Sequence, residues 1–519
     1  FNMKMVKSLL LGSAAGLIAV AGAQAADLPV KAKAVEYVKI CSLYGVGYYY
    51  IPGTDTCIKI GGYVRWEGYH NAPTGNYPNH TTAGSFDRGT NTFAMQARFR
   101  LTTDVRTQTE YGTLRSYFAF GVNTLNGNTG ADATAPALAM ERAFIQFAGF
   151  TIGRSDTFFA FYNGAAYGLV PLRFDGSTGP GGLNVFAYTW QFGNGLSASI
   201  SLEDGIQMGA PVIDLNTSVS AIPPLGAPGG GLPAALGFGT QTGDDRIGSF
   251  VPNIVANLRV DQAWGSAQIM GALHEVGGRY NRGIPGGCTP SNFTGCPHPD
   301  NEWGWAVGGG LTLKMPWDAK DTLSGVIAYS EGAGAYVASL QNNNFIHKQG
   351  IAIGQFTDGV FARPGHIPGY DGSVELTKTW GGTIAFEHYW TPSLRTAWVA
   401  GYMSVEYSDT AKAIMAAAHQ QVPAAFGACG GALFGAATLT NVTNCNPDWS
   451  SYRLASRTMW NPVANLDVGL EVAYTKVNTA YAGAAILQFP VQNVATGTYN
   501  IEDQSFWTAT VRVQRSFWP

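Results

Sequence analysis

The stretch Phe93–Val105, FAMQARFRLTTDV, separates into two sets of side chains when every second residue is read. The first set is apolar apart from Thr103, and its other members are Phe93, Met95, Ala97, Phe99, Leu101 and Val105. The second set is mostly polar and consists of Ala94, Gln96, Arg98, Arg100, Thr102 and Asp104. Successive side chains of a β-strand point to opposite faces. The stretch therefore predicts a strand with one apolar face and one face that carries two arginines.

The same alternation recurs along the chain, at 58–66, 254–261, 467–474 and 507–514. Only 13% of the 519 residues are charged, against about 25% in an ordinary soluble protein. Aromatic residues reach 12%, yet the mean hydropathy is close to zero, at +0.01. Low charge without high mean hydropathy argues against a helical membrane protein. It is typical of a chain in which apolar and polar residues alternate finely.

The connections between the predicted strands alternate between short and long. Short connections are predicted near 106–110, 149, 193–195, 263, 318, 391–393 and 461–465. Long connections are predicted near 69–90, 123–138, 160–183, 205–249, 276–301, 332–373, 408–449 and 477–503. These seven short turns and eight long loops join sixteen strands. The predicted fold class is therefore all-β, a 16-stranded antiparallel transmembrane β-barrel with short periplasmic turns and long external loops.

Tryptophans lie close to the predicted short turns. They are Trp190, Trp264, Trp317, Trp390, Trp460 and Trp518. Aromatic side chains favour the boundary between membrane and water, so we interpret these residues as an aromatic girdle. A soluble β-sandwich is the alternative, because it also has short alternating strands. The regular loop lengths, the low charge and the positions of the tryptophans favour the membrane barrel.

Residues 1–25 have the features of an export signal, with an overlong start before Met3. Two lysines form a basic leader, SLLLGSAAGLIAVAG is the apolar core, and AQA at Ala23–Ala25 is a small-x-small cleavage site. This order of segments is that of a secretory signal peptide rather than a membrane anchor. We expect a mature chain from about Ala26.

The predicted mature chain is negatively charged and divides into two parts. Removal of Lys4 and Lys7 with the signal changes the formal net charge from −3 to −5, so a nucleic-acid partner is not implied. Residues 26–56 are expected to form a periplasmic N-terminal segment stapled to the first strand. Residues 57–519 are expected to form the barrel.

The six cysteines fall into three local pairs. An exported chain meets an oxidising compartment, where structural disulfides form. Six cysteines permit 15 connectivities, and local pairing predicts the disulfides Cys41–Cys57, Cys288–Cys296 and Cys429–Cys445. Because no spacing resembles a zinc site and no C-x-x-C occurs, no metal role is predicted.

The orientation of the predicted strands follows from the cost of placing charge in lipid. If the polar face of Phe93–Val105 looked outward, Arg98 and Arg100 would lie in hydrocarbon at about 2–4 kcal/mol each near the midplane. The apolar face must therefore contact lipid, and the polar face must contact a wet interior. The same phase places further arginines on inner faces, namely Arg65, Arg115, Arg142, Arg259, Arg395, Arg453, Arg457 and Arg512. It also places three glutamates inside, namely Glu375, Glu387 and Glu471.

Neighbouring strands bring some of these arginines to one wall of the pore. The predicted cluster consists of Arg98, Arg100, Arg115 and Arg142, with Arg65 from the first strand. A barrel of this size leaves an aqueous channel, so lumen charges would set up a field across it. The alternative is that these arginines form structural salt bridges or line a solvated face.

An open barrel of sixteen strands would leak metabolites, so an element that narrows it is expected. The candidate is the third long loop, Ala160–Leu183, AFYNGAAYGLVPLRFDGSTGPGGL, whose apolar and aromatic residues suit the inner wall. Folded inward, it would project Arg173 and Asp175 into the lumen, and Asp156 would brace it. The alternative is an external loop that covers a neighbour.

Three stretches closely resemble the general porins of alphaproteobacteria. They are KSLLLGSAAGLIAVAGAQAAD at 7–27, EYVKICSLYGVGYYYIPGTDTCIKIGGYVR at 36–65 and ERAFIQFAGFTIGRSDTFF at 141–159. The resemblance covers roughly residues 3–160 and returns in the final strand. It implies a trimeric, sixteen-stranded channel for passive diffusion with an inward-folded third loop. It also implies that Ala160–Leu183 is this constriction loop, with Asp156, Arg173 and Asp175 in or near it.

The C-terminal sequence departs from the family pattern. Such barrels commonly end on an aromatic residue, whereas Phe517 and Trp518 are followed here by Pro519. Because Phe517 has the outward phase of Val511 and Val513, we expect it to serve as the terminal aromatic residue.

The sequence holds no H-E-x-x-H, G-x-S-x-G or G-x-x-x-x-G-K-[ST] motif, so neither an enzyme nor a cofactor is predicted. The expected function is that of an outer-membrane porin, a water-filled channel for passive diffusion of small hydrophilic solutes and ions. Outer-membrane lipids, lipopolysaccharide and further copies of the chain in a homotrimer are the expected partners. The alternative is a substrate-selective channel of the same architecture, for a sugar or an anion. Two further alternatives belong to other classes of protein. A barrel enzyme would need a Ser–His or Asp–His pair at the rim. The long loops also allow an adhesin, as a secondary role.

Overall fold

The computed structural model describes residues 39–71, 92–125, 137–162, 166–170, 174–178, 181–215, 244–280, 297–338, 343–347, 350–420, 437–487 and 497–517. These residues form a closed barrel of sixteen antiparallel strands, numbered here in chain order. The first eight are β1 (Thr56–His70), β2 (Phe93–Thr109), β3 (Gly112–Leu125), β4 (Ala137–Phe147), β5 (Phe150–Ser155), β6 (Leu183–Gly193), β7 (Leu196–Glu203) and β8 (Asn253–Gln262). The others are β9 (Gly265–Val276), β10 (Glu302–Lys314), β11 (Thr322–Glu331), β12 (Lys378–Thr391), β13 (Leu394–Glu406), β14 (Trp449–Trp460), β15 (Leu466–Asn478) and β16 (Gln504–Ser516).

Each barrel strand pairs with the next one along the chain, and β16 pairs with β1 to close the ring. The closing register runs from Tyr63 opposite Ser516 to His70 opposite Ala509. The stretch Phe93–Val105 lies in β2, between β1 and β3. The predicted fold class and strand number are confirmed.

The short turns close hairpins at one end of the barrel. Ala148–Gly149 and Asn194–Gly195 are two-residue turns in which both residues have positive φ. This geometry matches the right-handed twist of the flanking strands. The first short turn was predicted near 106–110, but β2 continues through Thr109 and the chain turns at 110–111. Within the polar run that predicted an earlier turn, Arg106 and Gln108 have the inward phase of Arg98 and Arg100.

Side chains alternate between the two faces of the barrel as the sequence predicts. Phe93 and Phe99 lie on the outer surface of β2, with 50% and 37% of their area exposed. Phe99 stacks on Phe517, with 6.2 Å between the ring centroids. Arg98 and Arg100 point inward, where both form ion pairs with a carboxylate of another strand. The predicted lipid-facing and lumen-facing sets of β2 are confirmed.

Nine of the exposed tryptophans form two groups on the outer surface. The group near the short turns consists of Trp190, Trp264, Trp317, Trp390 and Trp460. The group toward the opposite end consists of Trp303, Trp305, Trp380 and Trp507. Aromatic residues at both edges of an apolar band are typical of a barrel surface in a membrane. Trp518 lies outside the described residues.

No helix in the described part of the chain is long and apolar enough to cross a bilayer.

Long loops fold into the half of the barrel that is opposite the short turns. Phe356 of the β11–β12 loop and Ile414 of the helix Asp409–Gln420 belong to one buried apolar cluster. Met403 of β13 and Val477 of β15 join this cluster from the inner wall. The expectation of a polar and wet interior is therefore wrong for this region, because the loops supply an apolar surface for inner-face residues.

The loops also carry two smaller sheets. One consists of Val212–Asp214, Gly359–Phe361 and Glu375–Leu376, and the other of Asn343–His347, Gly350–Gly354, Ala437–Asn444, Ala482–Leu487 and Gly497–Ile501. Glu375 was predicted on an inner face of the barrel, but it lies in a loop strand that precedes β12. Its carboxylate accepts a hydrogen bond from the Ser408 hydroxyl at 2.6 Å.

The N-terminal segment is joined to the short-turn end of β1. Tyr49–Tyr50 pairs with Ile58 and Cys57, and the disulfide Cys41–Cys57 joins the segment to the strand. The first predicted disulfide is therefore confirmed. Cys445 is disulfide-bonded. The remaining predicted disulfide positions, Cys288, Cys296 and Cys429, lie outside the described residues, as do residues 1–38 with the predicted signal peptide.

Candidate functional site: the pore constriction

Five arginines line one side of the barrel interior, on β16, β1, β2 and β4, with β3 between the last two. They are Arg65, Arg98, Arg100, Arg142 and Arg512, and we call them the arginine wall. Arg65 lies directly opposite Arg98 in the β1–β2 register. The side chain of Arg100 is 29% exposed, whereas that of Arg98 is 10% exposed. Arg100 therefore presents more of its charge to the lumen than Arg98 does.

A β-bulge in β4 adds a carboxylate that sequence reading missed. Ala119 of β3 pairs with Arg142, but the next residue, Phe120, pairs with Met140. Glu141 is the extra residue, so both Glu141 and Arg142 turn inward. The Glu141 carboxylate accepts a hydrogen bond from Arg98 and lies 2.7 Å from Nε of Arg100. Glu141 thus holds two residues of the arginine wall.

A second carboxylate holds the edge of the wall at the junction between β16 and β1. Arg512 donates from Nε to Oε1 of Glu67 at 2.6 Å. The Tyr69 hydroxyl donates to the other oxygen of Glu67 at 2.7 Å. Arg65 is held beside this pair by a hydrogen bond from its Nε to Gln514 at 2.8 Å. The barrel seam therefore carries an ordered group of charges.

The described parts of the β5–β6 connection, residues 156–162, 166–170, 174–178 and 181–182, lie inside the barrel, and we call them the constriction loop. Its first part runs along the inner wall: Glu203 of β7 accepts from the Phe158 backbone N–H at 2.7 Å, and Asn257 of β8 donates to the Phe158 carbonyl at 2.6 Å. The ring of Phe161 lies directly on Gly310 of β10, where any Cβ would overlap it. Gly310 therefore allows the close approach of the loop to the wall.

The tip of the constriction loop reaches the far side of the barrel. Arg457 of β14 donates to the Ala166 carbonyl at 3.0 Å. The Leu169 backbone N–H donates to Glu471 of β15 at 2.5 Å, and Arg512 donates to the Leu169 carbonyl at 2.7 Å. The loop thus crosses from β5 to β16, where it contacts Arg512 of the arginine wall, and the other arginines of the wall border the lumen beside it.

Asp156 ties both ends of the constriction loop to the barrel. Its carboxylate accepts hydrogen bonds from Arg142 of β4 and from the Thr178 hydroxyl, the latter at 2.9 Å. Arg142 also donates to the backbone carbonyl of Glu141 at 2.7 Å. This geometry suits the bracing role expected for Asp156.

Of the two other residues expected in the lumen, one is placed differently and one lies outside the described residues. Asp175 is only 3% exposed, and its carboxylate accepts from the backbone N–H and hydroxyl of Ser177, at 3.1 and 3.0 Å. The expected projection of Asp175 into the lumen is therefore not observed, because the carboxylate satisfies a local turn. Arg173 lies outside the described residues.

Arg115 does not lie at the height of the constriction. It pairs across the strands with Arg106, which is six residues from Arg100 on β2. At the rise of a β-strand this separation is about 20 Å toward the short turns. The expected single arginine cluster is therefore divided along the pore axis.

The charges of the arginine wall and of the carboxylates paired with it are unequal in number. Five guanidiniums of the arginine wall face three carboxylates, those of Glu67, Glu141 and Asp156. The excess of positive charge lies on the inner wall of a barrel with walls of low dielectric, an arrangement that concentrates the field in the channel. The site can attract and order anions, and can pass hydrated solutes that fit between the loop and the wall.

A closed barrel with an apolar outer surface, aromatic edges and a lumen narrowed by an inward-folded loop defines a channel-forming outer-membrane protein. Residues 27–510 match the family model described as "Porin subfamily", and the chain belongs to this porin family. It is a channel for passive diffusion across the outer membrane. The family is one of channels rather than enzymes.

The chain is similar to several individual proteins. The chain is 32% identical to porin Omp2b of Brucella suis over 329 residues, which is 59% of this chain and 80% of that protein. It is 34% identical to porin Omp2b of Brucella neotomae over 270 residues, 50% of this chain and 64% of that protein. The outer membrane channel DcaP of Acinetobacter baumannii has a similar structure, with a TM-score of 0.49 and 13% identity, over 90% of this chain and 99% of that one.

Proposed function

We propose that this porin is a general diffusion channel whose constriction favours anions. The observation that carries the proposal is the excess of guanidiniums over carboxylates at the arginine wall, beside the constriction loop. Small hydrophilic solutes pass by size, because the loop narrows the lumen. Ions are sorted by the positive field at the narrow point, where the low-dielectric walls strengthen it.

The charged side chains are fixed by one another, so their field is preorganised. Arg98 and Arg100 both pair with Glu141, and Arg142 pairs with Asp156. Arg65 and Arg512 both pair with Glu67. None of these pairs has to rearrange when an ion passes. Arg100, with the greater exposure, is the residue that a passing anion meets first among the two arginines of β2.

The described part of the constriction loop favours an unselective channel over a substrate-selective one. The hydroxyl of Tyr162 is hydrogen-bonded to Thr383 of β12, and the hydroxyl of Tyr167 lies 3.4 Å from that of Thr322. The two rings also pack against each other, with 5.6 Å between their centroids. These aromatic side chains are engaged with the wall rather than arranged as a platform for a sugar.

We further propose that the channel is a homotrimer in the outer membrane, in contact with its lipids and lipopolysaccharide. Strand β5 has only six residues, whereas a membrane-spanning β-strand needs about 9–11. The register also gives Arg154 the outward phase of Ile152, and an arginine facing hydrocarbon would be costly. Contact with another copy of the chain would cover the outer face of the barrel at the short strand β5 and at Arg154. The mass of the purified detergent complex, measured by light scattering, tests this: a monomer contradicts it.

The conduction proposal is tested with purified protein in a planar bilayer. We expect ohmic single-channel currents and a reversal potential in a potassium chloride gradient whose sign shows that chloride is more permeant than potassium. Absence of ohmic conductance would contradict the proposal of a diffusion channel. A cation-preferring reversal potential would contradict the role given to the arginine wall. Saturation of the current by one solute would favour a substrate-selective channel.

A further inference from the structure

A second group of charges lies below the arginine wall, near the short turns on the periplasmic side. It consists of Lys59 of β1, Asp104 and Arg106 of β2 and Arg115 of β3, and we call it the periplasmic cluster. Asp104 accepts two hydrogen bonds from Arg106 and two from Arg115, at 3.0 and 2.9 Å in each case. Two guanidiniums therefore share one carboxylate, and Lys59 lies opposite Asp104 in the β1–β2 register, so the cluster carries a positive excess.

The disulfide-linked N-terminal segment packs on this cluster. The Arg106 guanidinium lies over the rings of Tyr44 and Tyr48, at 5.6 and 5.1 Å from their centroids. The Lys59 ammonium lies 5.7 Å from the Tyr48 ring and donates to the Val46 carbonyl at 3.4 Å. Cations held over aromatic faces keep their position and charge. The segment thus orders two of the three cations.

Tyr48 is the central residue of this contact. Its side chain is buried against the disulfide Cys41–Cys57. Burial, together with a hydrogen bond to Asp104, raises the pKa of the Tyr48 hydroxyl to about 12. The hydroxyl is neutral at physiological pH, as an ordinary tyrosine is, and donates to Asp104 without adding a charge to the cluster.

The periplasmic cluster is electrostatically separate from the constriction. The separation of about 20 Å between Arg100 and Arg106 along β2 exceeds the Debye length of about 8 Å at physiological salt. In a water-filled lumen each group of charges is therefore screened from the other. An ion that enters from the periplasm meets the periplasmic cluster first.

We propose that the periplasmic cluster, ordered by the N-terminal segment, is a second anion site of the channel and binds multiply charged phosphate-type anions that enter from the periplasm. The side chains of Arg106 and Arg115 remain 27% and 25% exposed, and guanidiniums match the geometry of phosphate oxygens. The proposal rests on the proposed diffusion channel and adds a second place of selection to it.

Inorganic tripolyphosphate is the probe. The tripolyphosphate is added to one side of a single channel at a time. The orientation of each channel is determined with a biotin label on Gly248→Cys, in an exposed external loop, because streptavidin binds the label only from the external side. We expect block at a lower concentration from the short-turn side than from the external side. Arg106→Gln should raise the blocking concentration on the short-turn side by about tenfold, because one contact between a cation and a multiply charged anion is lost. Block from the external side should not change.

Matched variants separate this site from general effects. Arg515→Gln removes the same charge from the same end of the barrel, but on the outer face of β16, so block should stay as in the wild type. Arg106→Lys should retain most of the difference between the two sides. Loss of the segment's anchor in Cys41→Ser/Cys57→Ser should weaken block from the short-turn side only.

The outcomes distinguish the two proposals. Equal block from both sides in the wild type, or a side difference that survives Arg106→Gln, overturns the second site. Anion preference in a salt gradient with equal block from both sides leaves the constriction proposal standing alone. Cation preference with a side difference that depends on Arg106 overturns the constriction proposal and supports the second site.

Discussion

Arg98 of β2 donates a hydrogen bond to the carboxylate of Glu141 in β4, across the intervening strand β3. The position between them on β3 is Gly121, where a Cβ would lie 2.8 Å from a guanidinium nitrogen of Arg98 and 3.0 Å from Oε1 of Glu141. The absence of a side chain on β3 allows residues two strands apart to meet. The bulge that turns Glu141 inward and the glycine that makes room for it act together to fix the arginine wall.

Glu141→Gln should increase the preference for anions. The change removes one of the three carboxylates that offset the arginine wall while keeping the size of the side chain. A charge pair at 4 Å in water is worth about 1 kcal/mol, so the ratio of chloride to potassium permeability should rise about fivefold. Reversal potentials in a salt gradient measure this. Glu406→Gln, an exposed glutamate at the external end of β13, is the matched control, and an unchanged ratio in Glu141→Gln would contradict the assigned position.

Arg98→Ser/Arg100→Ser should enlarge the constriction and shift selectivity toward cations. Two cations and two long side chains leave the lumen side of β2, so single-channel conductance should rise as well. The loss of two charges should change the permeability ratio by about tenfold or more. Arg515→Ser provides the comparison, since this arginine lies on the outer face of β16. If the double variant keeps the wild-type reversal potential, these arginines do not line the narrow part of the pore.

Gly310→Ala should disturb the anchor of the constriction loop. Its Cβ would overlap the ring of Phe161, and overpacking of this kind costs about 1–3 kcal/mol. We expect a lower midpoint of thermal unfolding in detergent and noisier open-channel currents. Gly309→Ala is the matched control, because the nearest atom to its Cβ is the Gln268 carbonyl oxygen at 3.8 Å. Equal behaviour of the two variants would show that the Phe161 contact does not hold the loop.

The features that sequence reading recovered are those set by the membrane itself. Lipid outside and water inside force a period of two on every strand, so Phe99 and Arg98 could be assigned to opposite faces. The alternation of loop lengths gave the strand number, and the aromatic content of Ala160–Leu183 indicated that this loop packs against a wall.

The missed features depend on local breaks in that period. The bulge at Glu141 shifts the alternation by one residue. The sequence carries a sign of this shift, because the outward residues Met140 and Ile145 are an odd number of positions apart. Asp175 was misplaced because a local hydrogen bond to Ser177 competes with exposure to the lumen.

The apolar lining of the external half of the lumen was also missed, for a different reason. Met403 and Val477 lie on inner faces, where the simple rule expects polar residues. Apolar residues at such positions indicate that a loop covers them, but the sequence does not say which one. Only the three-dimensional packing shows that the β11–β12 loop and the helix Asp409–Gln420 supply the contact.

Accessibility of cysteines placed at adjacent positions of β2 tests the central claim most directly. Phe99→Cys and Arg100→Cys differ by one residue, and the described cysteines of the native chain are all disulfide-bonded. Channels are recorded before and after addition of a charged, water-soluble methanethiosulfonate. The alternation predicts a lasting change of current for Arg100→Cys and no change for Phe99→Cys. A change for Phe99→Cys with an inert Arg100→Cys would contradict the assignment of the arginines to the lumen.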